Sequence, residues 1–434
     1  MDCDPAHPTD DSPFCTFIPP DLLDHISKSD KVSQSTRDKA ANSLKHVETV
    51  CQVRKSIQVQ KAKLLAQGGP PKKAVAAVTR PRHLHRTIFD CNGKEGLPLD
   101  LDKDGIPDVS RPFNLRNVPA WEGAKLFEEG HVFNGTEDPS AVNVYDQFKL
   151  TYDFYSTVFN RNSIDNEGLS LVGCVHYDEI DDPRPGFFNA FFWLDVMAYG
   201  DGDGEIFRSF TDIIDITGHE LTHGVTQNTA GLPYEHQAGA LNESISDVFG
   251  SMLKQWSKEP KQTAAAADWL IGRGLFLIPD ARALRDMANP GTAHGNTGVT
   301  GGDRQPKDMD GYVELWPPTP GRNGNDNGGV HLYSGIPNRA FYLVATTLGG
   351  YSWEKAGKIW YDTLTDRALT NPSGAPNFTK TAFKVFADLT VKHAEQFGQD
   401  AVKAVTDAWT DVKVYPWKTN WRKKHLNGQV TGGQ

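Results

Sequence analysis

His-Glu-Leu-Thr-His, residues 219–223, is the stretch of this 434-residue chain that decides its fold. In a helix, His219 and His223 lie one turn apart on the same face, because they are four positions apart. Two imidazoles in this arrangement can bind one zinc ion, and Glu220 between them is close enough to handle a metal-bound water. The stretch therefore predicts a zinc-binding helix over residues 216–228.

The third zinc ligand must come from elsewhere, since a catalytic zinc site usually has three protein ligands and an open position for water. Residues 239–247 read Gly-Ala-Leu-Asn-Glu-Ser-Ile-Ser-Asp, and a tight turn at 231–234 can fold them back as a second helix. Glu243 is then the candidate third ligand. Asp247 follows one turn later and can accept a hydrogen bond from the outer nitrogen of a ligand imidazole, which fixes the tautomer of that ring.

The composition is that of a globular protein long enough for two or three domains. A net charge of −10 without a basic stripe argues against a nucleic-acid partner. The five cysteines are odd in number and irregularly spaced, which suggests neither a disulfide framework nor a cysteine-based zinc ribbon. The acidic N-terminus lacks the apolar centre of a signal peptide, and no run has the length of a membrane span. We therefore expect a cytoplasmic protein, or one exported by a non-classical route.

Composition changes divide the chain into an N-terminal segment (1–64), a Gly- and Pro-rich linker (65–84), a β-rich part (85–211), a helical part (212–414) and a tail (415–434). In the β-rich part, strands are predicted near Arg86–Phe89 and Ser170–His176, with one long helix at 139–160. The helical part contains a Gly-, Asn- and Pro-rich loop at 288–329, whose length suggests a functional role. The fold class is α+β.

Three segments together resemble the thermolysin-like neutral metallopeptidases. They are the zinc segment at 219–247, the sequence DNGGVHLYSGI at 326–336, and Asn189-Ala190-Phe191 followed by YGDGDG at 199–204. The similarity runs from roughly Arg86 to Val414, and the spacing of the three segments agrees with the family. The resemblance implies a zincin: an N-terminal β-rich domain, a central zinc-binding helix and a C-terminal helical domain.

The resemblance also implies a role for each matching catalytic residue. One catalytic zinc ion would be held by His219, His223 and Glu243. Glu220 would be the general base, which takes a proton from the zinc-bound water and later delivers it to the leaving amine. His331 and Tyr234 would donate hydrogen bonds to the oxyanion, and Asp326 would orient His331. The alternative for Tyr234 is an aromatic residue that packs in the turn between the two helices.

Substrate binding is implied at the edge of the sheet. Asn189 and the backbone of Ala190 would pair with a peptide substrate as an added β-strand. Arg285 would line the pocket for the residue that follows the scissile bond, a pocket that usually accepts bulky apolar side chains. The alternative for Arg285 is a partner in a surface ion pair.

The chain departs from the family at two calcium positions. Asp215 matches one ligand of the double calcium site in the extracellular members, but Lys254 stands where a Glu is expected. An ammonium group repels calcium and can pair with Asp215, so we expect an ion pair and no double calcium site. Residues 100–108 alternate acidic side chains around a Gly turn, yet Arg111 occupies the position of the final Glu of an EF-hand. An acidic surface loop is favoured there over a calcium site.

The N-terminal segment resembles the short propeptide of the protealysin-like subgroup, and the loop QPKDM at 305–309 points to the same subgroup. We predict that residues around 13–22 lie across the active-site cleft of a latent precursor. Cys15 would approach the zinc, because thiolate is a good zinc ligand; the alternative is a small buried apolar residue. Self-cleavage at 60–85 would then release the active enzyme.

The favoured function is a monomeric zinc endopeptidase that acts on peptide or protein substrates, with its own propeptide as a partner in cis. No nucleic-acid or membrane partner is expected. The first alternative is a catalytically silent zincin scaffold that binds peptides, although all ligands, the base and both oxyanion donors are present. The second is a zinc aminopeptidase, but no motif supplies an acidic group for the free amine of its substrate.

Overall fold

The structure is a computed structural model that describes residues 15–47, 83–91, 124–178, 186–193, 195–295, 298–315, 326–370 and 378–415. Three predictions fall on other residues. They are the linker at 65–84 apart from its last two positions, the acidic loop at 100–108 and the tail after Tyr415.

The N-terminal segment has one short strand and two helices: β1 (Cys15–Thr16), α1 (Pro20–Lys28) and α2 (34–47). Two prolines precede and open α1, where a fixed φ and a missing N–H suit a helix start. Apolar side chains of α1, including Leu23 and Ile26, are fully buried in the same core as the rest of the chain. The segment is therefore packed onto the catalytic part and does not fold as a separate body.

The β-rich part is a sheet with one long helix, as the sequence predicted. Its elements are β2 (Arg86–Asp90), β3 (Ala124–Glu128), α3 (Pro139–Phe159), β4 (Leu171–Val175), β5 (Ala190–Trp193) and β6 (Val196–Tyr199). Together with β1 they form a six-stranded sheet in the order β1-β5-β6-β4-β2-β3. Strand β4 is parallel to β2 and β6, and the other neighbours are antiparallel. The N-terminal segment thus supplies the edge strand beside β5.

A disulfide between Cys91 and Cys174 corrects the expectation drawn from the cysteine spacing. Cys91 directly follows β2, and Cys174 lies in β4, its parallel neighbour. The two residues are 83 positions apart in the chain, so only the sheet topology brings them together.

The helical part contains two long helices that pack together, followed by a mixed region and a helical bundle. Its elements are α4 (Ile214–Gln227), α5 (His236–Trp256), β7 (Leu270–Ile271), β8 (Arg285–Asp286), α6 (Asp326–Tyr333), α7 (Gly335–Leu348), α8 (Ala356–Leu364), α9 (Arg367–Thr370), α10 (Phe378–Ala394) and α11 (Gln399–Asp411). The hairpin of β7 and β8 interrupts a part whose pattern predicted helices. No helix among the described residues is long and apolar enough to cross a membrane.

Candidate active site

Helices α4 and α5 bring the three predicted zinc ligands together. His219 and His223 lie on α4 and Glu243 on α5, and all three side chains are fully buried. One ligand atom from each residue lies within 4.8 Å of the others. The helices approach closely because of Gly250, where an added Cβ would stand 2.8 Å from the carbonyl oxygen of Asp215 and 3.2 Å from the nitrogen of His219. Any side chain at Gly250 would push the third ligand away from the first two.

The hydrogen bonds around the cluster test whether it fits a metal ion. His219 Nδ1 contacts Asp247 Oδ1 at 2.8 Å, and His223 Nδ1 contacts Asn242 Oδ1 at 2.8 Å. Both acceptors are oxygens, so each neutral imidazole donates from Nδ1 and carries its lone pair on Nε2. The two Nε2 atoms then face each other at 3.1 Å, with Glu243 oxygens at 3.4 and 3.6 Å. Two lone pairs that converge beside a buried carboxylate favour the binding of a cation. Two imidazole nitrogens and one carboxylate are the donor set of a catalytic zinc site.

Asp247 connects the zinc cluster to the substrate side of the site. Its carboxylate accepts hydrogen bonds from Arg285 Nε at 2.8 Å, Arg285 Nη2 at 2.7 Å and Asn338 Nδ2 at 2.8 Å, besides that of His219. Burial would raise the pKa of Asp247, but the Arg285 guanidinium and the His219 contact outweigh it and hold the pKa at about 2. Arg285 is only 2% exposed, so it is not the surface ion-pair partner of the alternative interpretation.

Glu220 lies between the zinc helix and strand β5. Its Oε2 accepts a hydrogen bond from the backbone N–H of Phe192 at 3.1 Å. Its Oε1 is buried and has no hydrogen-bond partner among the residues that the structure describes. Burial raises the pKa of Glu220 to about 8, while the neighbouring His219 acts in the opposite direction. The carboxylate is thus fixed at one oxygen and leaves the other available inside the site.

His331, Asp326 and Tyr234 meet beside the third ligand. The backbone of α6 starts with positive φ from Asp326 (51°) through the two glycines that follow, which folds the Asp326 carboxylate back onto the helix. That carboxylate accepts from the backbone N–H of His331 at 2.8 Å and contacts His331 Nδ1 at 2.5 Å. On the other side of the ring, Nε2 lies 3.3 Å from the Tyr234 hydroxyl, which donates to Glu243. Both predicted oxyanion donors therefore point at the metal cluster, with Asp326 behind His331.

The N-terminal segment occupies the cleft in front of these groups. Strand β1 runs antiparallel to β5, with Cys15 opposite Phe192. The Phe17 N–H donates to the Ala190 carbonyl at 3.0 Å, and His331 Nε2 lies 2.9 Å from the Thr16 carbonyl oxygen. The predicted position of this segment across the cleft is therefore confirmed. The prediction for the Cys15 thiol falls on a side chain outside the described part of the chain.

Side chains of the catalytic part also bind this N-terminal segment. Asn189 accepts from the Ile18 N–H at 2.8 Å and donates to the Ile18 carbonyl at 3.2 Å. Arg285 Nη1 donates to the Phe17 carbonyl at 3.3 Å, and its guanidinium lies 4.9 Å from the centre of the Phe17 ring. The same ring lies edge-on to His219 at 5.3 Å and is fully buried. All predicted site residues other than the Cys15 thiol are thus brought together in one cleft.

Two residues that orient the site were missed by the sequence interpretation. Asn242 holds His223 as Asp247 holds His219. The sequence feature that could have identified Asn242 is its position immediately before Glu243, on the helix that faces both histidines. Asn338 binds Asp247 across 91 positions of chain, and no local pattern indicates such a contact.

The predicted ion pair at the calcium position is present. Lys254 Nζ lies 3.0 Å from Asp215 Oδ2 and 3.1 Å from Asp268 Oδ1. Burial would lower the pKa of Lys254, but the two carboxylates outweigh it and hold the pKa above its usual value. An ammonium charge therefore stands between the carboxylates.

The fold and the site define a metallopeptidase with two catalytic domains and a segment across its cleft. Residues 100–227 match the family described as the thermolysin metallopeptidase catalytic domain, and residues 230–414 match its alpha-helical domain. Residues 15–58 match the protealysin propeptide family. The chain belongs to the thermolysin metallopeptidase family.

Individual relatives agree with this assignment. The chain is 44% identical over 322 residues to the extracellular metalloprotease of Pectobacterium carotovorum subsp. carotovorum, which covers 74% of this chain and 83% of that protein. It is 37% identical over 405 residues to protease PrtS of Photorhabdus sp. (strain Az29), covering 92% of this chain and 91% of that protein. The solved precursor of protealysin, a metalloproteinase from Serratia proteamaculans, is 40% identical with a TM-score of 0.69, covering 92% of this chain and 99% of that one.

These matches confirm the predicted zincin fold and the predicted enzyme class. The chain is a metalloendopeptidase that carries an N-terminal propeptide. The family uses zinc, and the cluster on α4 and α5 fits that ion.

The predicted location is wrong. A cytoplasmic protein, or one exported by a non-classical route, conflicts with a relative at 44% identity that is named an extracellular metalloprotease. The prediction depended on the composition of a few N-terminal residues, which is a weaker guide than the match over the catalytic domains. The Cys91–Cys174 disulfide also suits an oxidising compartment.

Proposed function

We propose that this metalloendopeptidase cuts internal peptide bonds before bulky apolar residues and is held latent by its N-terminal propeptide, whose residues 15–18 lie in the cleft. The observation that carries the proposal is the position of Phe17. Its backbone pairs with β5, its carbonyl contacts Arg285, and its ring is buried beside the zinc ligand His219. A peptide that binds the cleft in the same way places the side chain after the cut in the same pocket.

The catalytic roles follow from what each side chain can reach. His219, His223 and Glu243 would hold a zinc ion, which would supply an activated water and polarise the substrate carbonyl. Glu220 takes the proton of that water on its available oxygen and passes it to the leaving amine. His331 and Tyr234 donate hydrogen bonds to the carbonyl oxygen as negative charge develops on it.

The pocket favours a large apolar side chain for two reasons. The Phe17 ring fills it, and an added Cβ at Gly272 would stand 3.3 and 3.4 Å from two of the ring carbons. Gly272 therefore leaves the space that an aromatic ring needs. The guanidinium of Arg285 lies near the ring but is held by Asp247, so it is a poor attractor for an acidic side chain.

Latency has a second proposed component, the Cys15 thiol. The Cys15 backbone pairs with Phe192, whose N–H holds Glu220. This backbone pairing supports the proposal, because Phe192 also holds the general base. A thiolate on the zinc would replace the water that the reaction needs. We expect Cys15→Ser to shorten the latent period of the full-length protein, and an unchanged latent period would remove the thiol from the mechanism.

We also propose that the enzyme acts outside the cell as a monomer and without the double calcium site. The Lys254 ammonium supports the last point, because it already pairs with Asp215 and Asp268 and its positive charge repels calcium. Calorimetric titration of the zinc-loaded protein with calcium tests it. Tight calcium binding that disappears on mutating Asp215 would contradict the proposal.

Hydrolysis of casein and of a peptide blocked at both ends tests the function as a whole. We expect turnover that chelators abolish, that zinc restores and that Glu220→Ala eliminates. Turnover of peptides with a free amine alone would identify an aminopeptidase. Binding of peptides without any turnover would identify a silent scaffold, and both results would contradict the proposal.

A further inference from the structure

We propose that the Thr16–Phe17 peptide bond is itself a cleavage site, cut by the active site of the same chain as the first step of maturation. This inference rests on the proposed function, since it uses the same catalytic groups. It adds a processing site upstream of the cut expected at 60–85 and an order for the two cuts.

The Thr16 carbonyl lies where the carbonyl of a scissile bond is expected. The Thr16 oxygen lies 2.9 Å from His331 Nε2, on the side of the ring that faces Tyr234 at 3.3 Å and Glu243 at 3.6 Å. A proposed oxyanion donor thus already contacts this carbonyl oxygen, beside the metal cluster. Among the described residues of the segment, the Phe17 carbonyl contacts Arg285 and the Ile18 carbonyl contacts Asn189, and neither of these is a proposed oxyanion donor.

The residues after the bond have the hydrogen-bond register of a bound substrate. The Phe17 N–H donates to Ala190, the Phe17 carbonyl accepts from Arg285, and Ile18 exchanges two hydrogen bonds with the Asn189 side chain. These groups form the substrate edge that the resemblance implied. The Phe17 ring lies in the pocket proposed for the residue after the cut. The strand direction of the segment, its hydrogen-bond register and the Phe17 side chain are therefore those of a bound substrate. In that substrate, Thr16–Phe17 is the bond to be broken.

The reaction is a hydrolysis that needs only water as co-reactant. The oxygen of the water forms a bond to the Thr16 carbonyl carbon, and the bond from that carbon to the Phe17 nitrogen breaks. Glu220 receives a proton from the water and gives it to the departing nitrogen. The products are residues 1–16 with a new carboxylate and a chain that begins with the amino group of Phe17.

The consequences of the cut differ on its two sides. Upstream, the described part of the fragment is the two-residue strand β1, and we expect the fragment to leave and carry Cys15 with it. Downstream, Leu22, Leu23 and Ile26 stay buried in the core, and the Thr36 hydroxyl lies 2.8 and 2.6 Å from carboxylate oxygens of Asp203 and Glu205. The first cut therefore uncovers the metal cluster, while Phe17 remains in its pocket as a bound product.

A time course of mass spectra tests the proposal on the full-length chain, prepared with a chelator and then supplied with zinc. We expect residues 1–16 and a chain beginning at Phe17 to appear before any product cut at 60–85. The rate should not change with protein concentration, because the bond lies in its own active site. The matched variant Glu220→Ala should yield neither product.

Two substitutions at Phe17 test the register. Phe17→Leu keeps an apolar side chain and should change the rate of this cut by no more than a few-fold. Phe17→Asp places a charge in an apolar pocket and should slow the cut at least about tenfold. Equal rates for the two variants would overturn the assigned register.

A readout that needs no turnover is hydrogen exchange of zinc-free Glu220→Ala protein. The amides of Phe17 and Ile18 should be protected, and Asn189→Ala should abolish the protection of Ile18, whose acceptor it removes. Exchange of both amides at the rate of an unstructured chain would overturn the proposal.

The outcomes separate this inference from the proposed function. Casein hydrolysis with all early products cut at 60–85 would overturn the Thr16–Phe17 site and leave the function intact. A Thr16–Phe17 cut whose rate rises with protein concentration would overturn the claim that the chain cuts itself. Absence of both casein hydrolysis and self-cleavage would contradict the proposed function, and the inference with it.

Discussion

Asp247→Asn is the substitution that best tests how the site is held together. The carboxylate contacts His219, Arg285 and Asn338 at 2.7–2.8 Å and is fully buried. An asparagine keeps the shape and can still contact His219, but it removes the negative charge. The Arg285 guanidinium then remains buried without its carboxylate, and the His219 ring is held by a neutral amide oxygen, which accepts a weaker hydrogen bond than the carboxylate.

The magnitude follows from the ionisation of the folded protein. The pKa of Asp247 falls from 3.8 to about 2, because Arg285 and His219 outweigh the opposing effect of burial. That shift corresponds to about 2 kcal/mol of stability, and breaking one partner of a buried pair typically costs about 3–5 kcal/mol. We expect Asp247→Asn to lose about 3 kcal/mol in the free energy of unfolding and about 10–100-fold in zinc affinity. Since the folded pKa is depressed, the ionisation contribution is complete above pH 3.8 and is lost as the pH falls through about 2.

The matched control is Asp366→Asn. Asp366 accepts hydrogen bonds from Lys392 at 2.7 Å and His393 at 2.8 Å, and Lys392 is 60% exposed. Partial burial opposes the shift, but these contacts also hold the pKa of Asp366 at about 2. Solvent screens a surface pair, so this variant should lose at most about 1 kcal/mol and keep its zinc affinity. Urea unfolding of the zinc-free proteins and competition with a zinc chelator measure both quantities. Equal losses in the two variants would contradict the role assigned to the buried Asp247 carboxylate.

Three further predictions concern the oxyanion donor, the pocket and the propeptide. Tyr234→Phe should lower kcat by about 100-fold and leave KM nearly unchanged, because the hydroxyl acts on charge that develops only in the transition state. Steady-state kinetics on a blocked peptide measure both constants, and a rise in KM alone would contradict this prediction. Gly272→Ala should lower the ratio of kcat/KM for Phe over Leu after the cut by about tenfold, since its Cβ would meet the ring, and an unchanged ratio would place the pocket elsewhere. His46 packs among Tyr177, Phe187 and Phe191, and burial lowers its pKa from 6.5 to about 4. A protonated His46 opposes burial, so propeptide docking should be complete above pH 6.5 and weaken about 30-fold at pH 5. His46→Phe should remove this pH dependence of docking. Hydrogen exchange in the Glu220→Ala protein measures docking.

The sequence predicted the parts of the site that depend on local periodicity. His219 and His223 are four positions apart, so any helix over them forms the pair, and α4 (Ile214–Gln227) lies within two residues of the predicted bounds 216–228 at each end. The start of α5 was less accurate, since the helix begins at His236 and the prediction began at 239. No side chain caps this helix at Glu235, so the usual sequence signal for a helix start is missing.

Features that depend on contacts between distant residues could not be predicted. The disulfide requires β2 and β4 to be neighbours, and that pairing depends on the order of strands in the sheet. The hairpin of β7 and β8 has two residues in each strand, too few for a periodic pattern. Burial of Arg285 depends on Asp247, which is 38 positions away. In each case the stabilising free energy comes from a contact between residues distant in the chain, and the local sequence does not specify that contact.

Latency must depend mainly on residues after Phe17, whatever happens to the residues before it. Upstream of Phe17, the described contacts include the strand pairing of β1 and the contact of the Thr16 carbonyl with His331. Downstream, the segment buries Ile18, Leu23 and Ile26 completely. Fully burying each such side chain contributes about 1.5–3 kcal/mol, which exceeds the net contribution of about 1 kcal/mol from one hydrogen bond. Loss of residues 1–16 therefore opens the metal cluster but leaves the pocket filled, and full activity requires that residues 17–47 also leave.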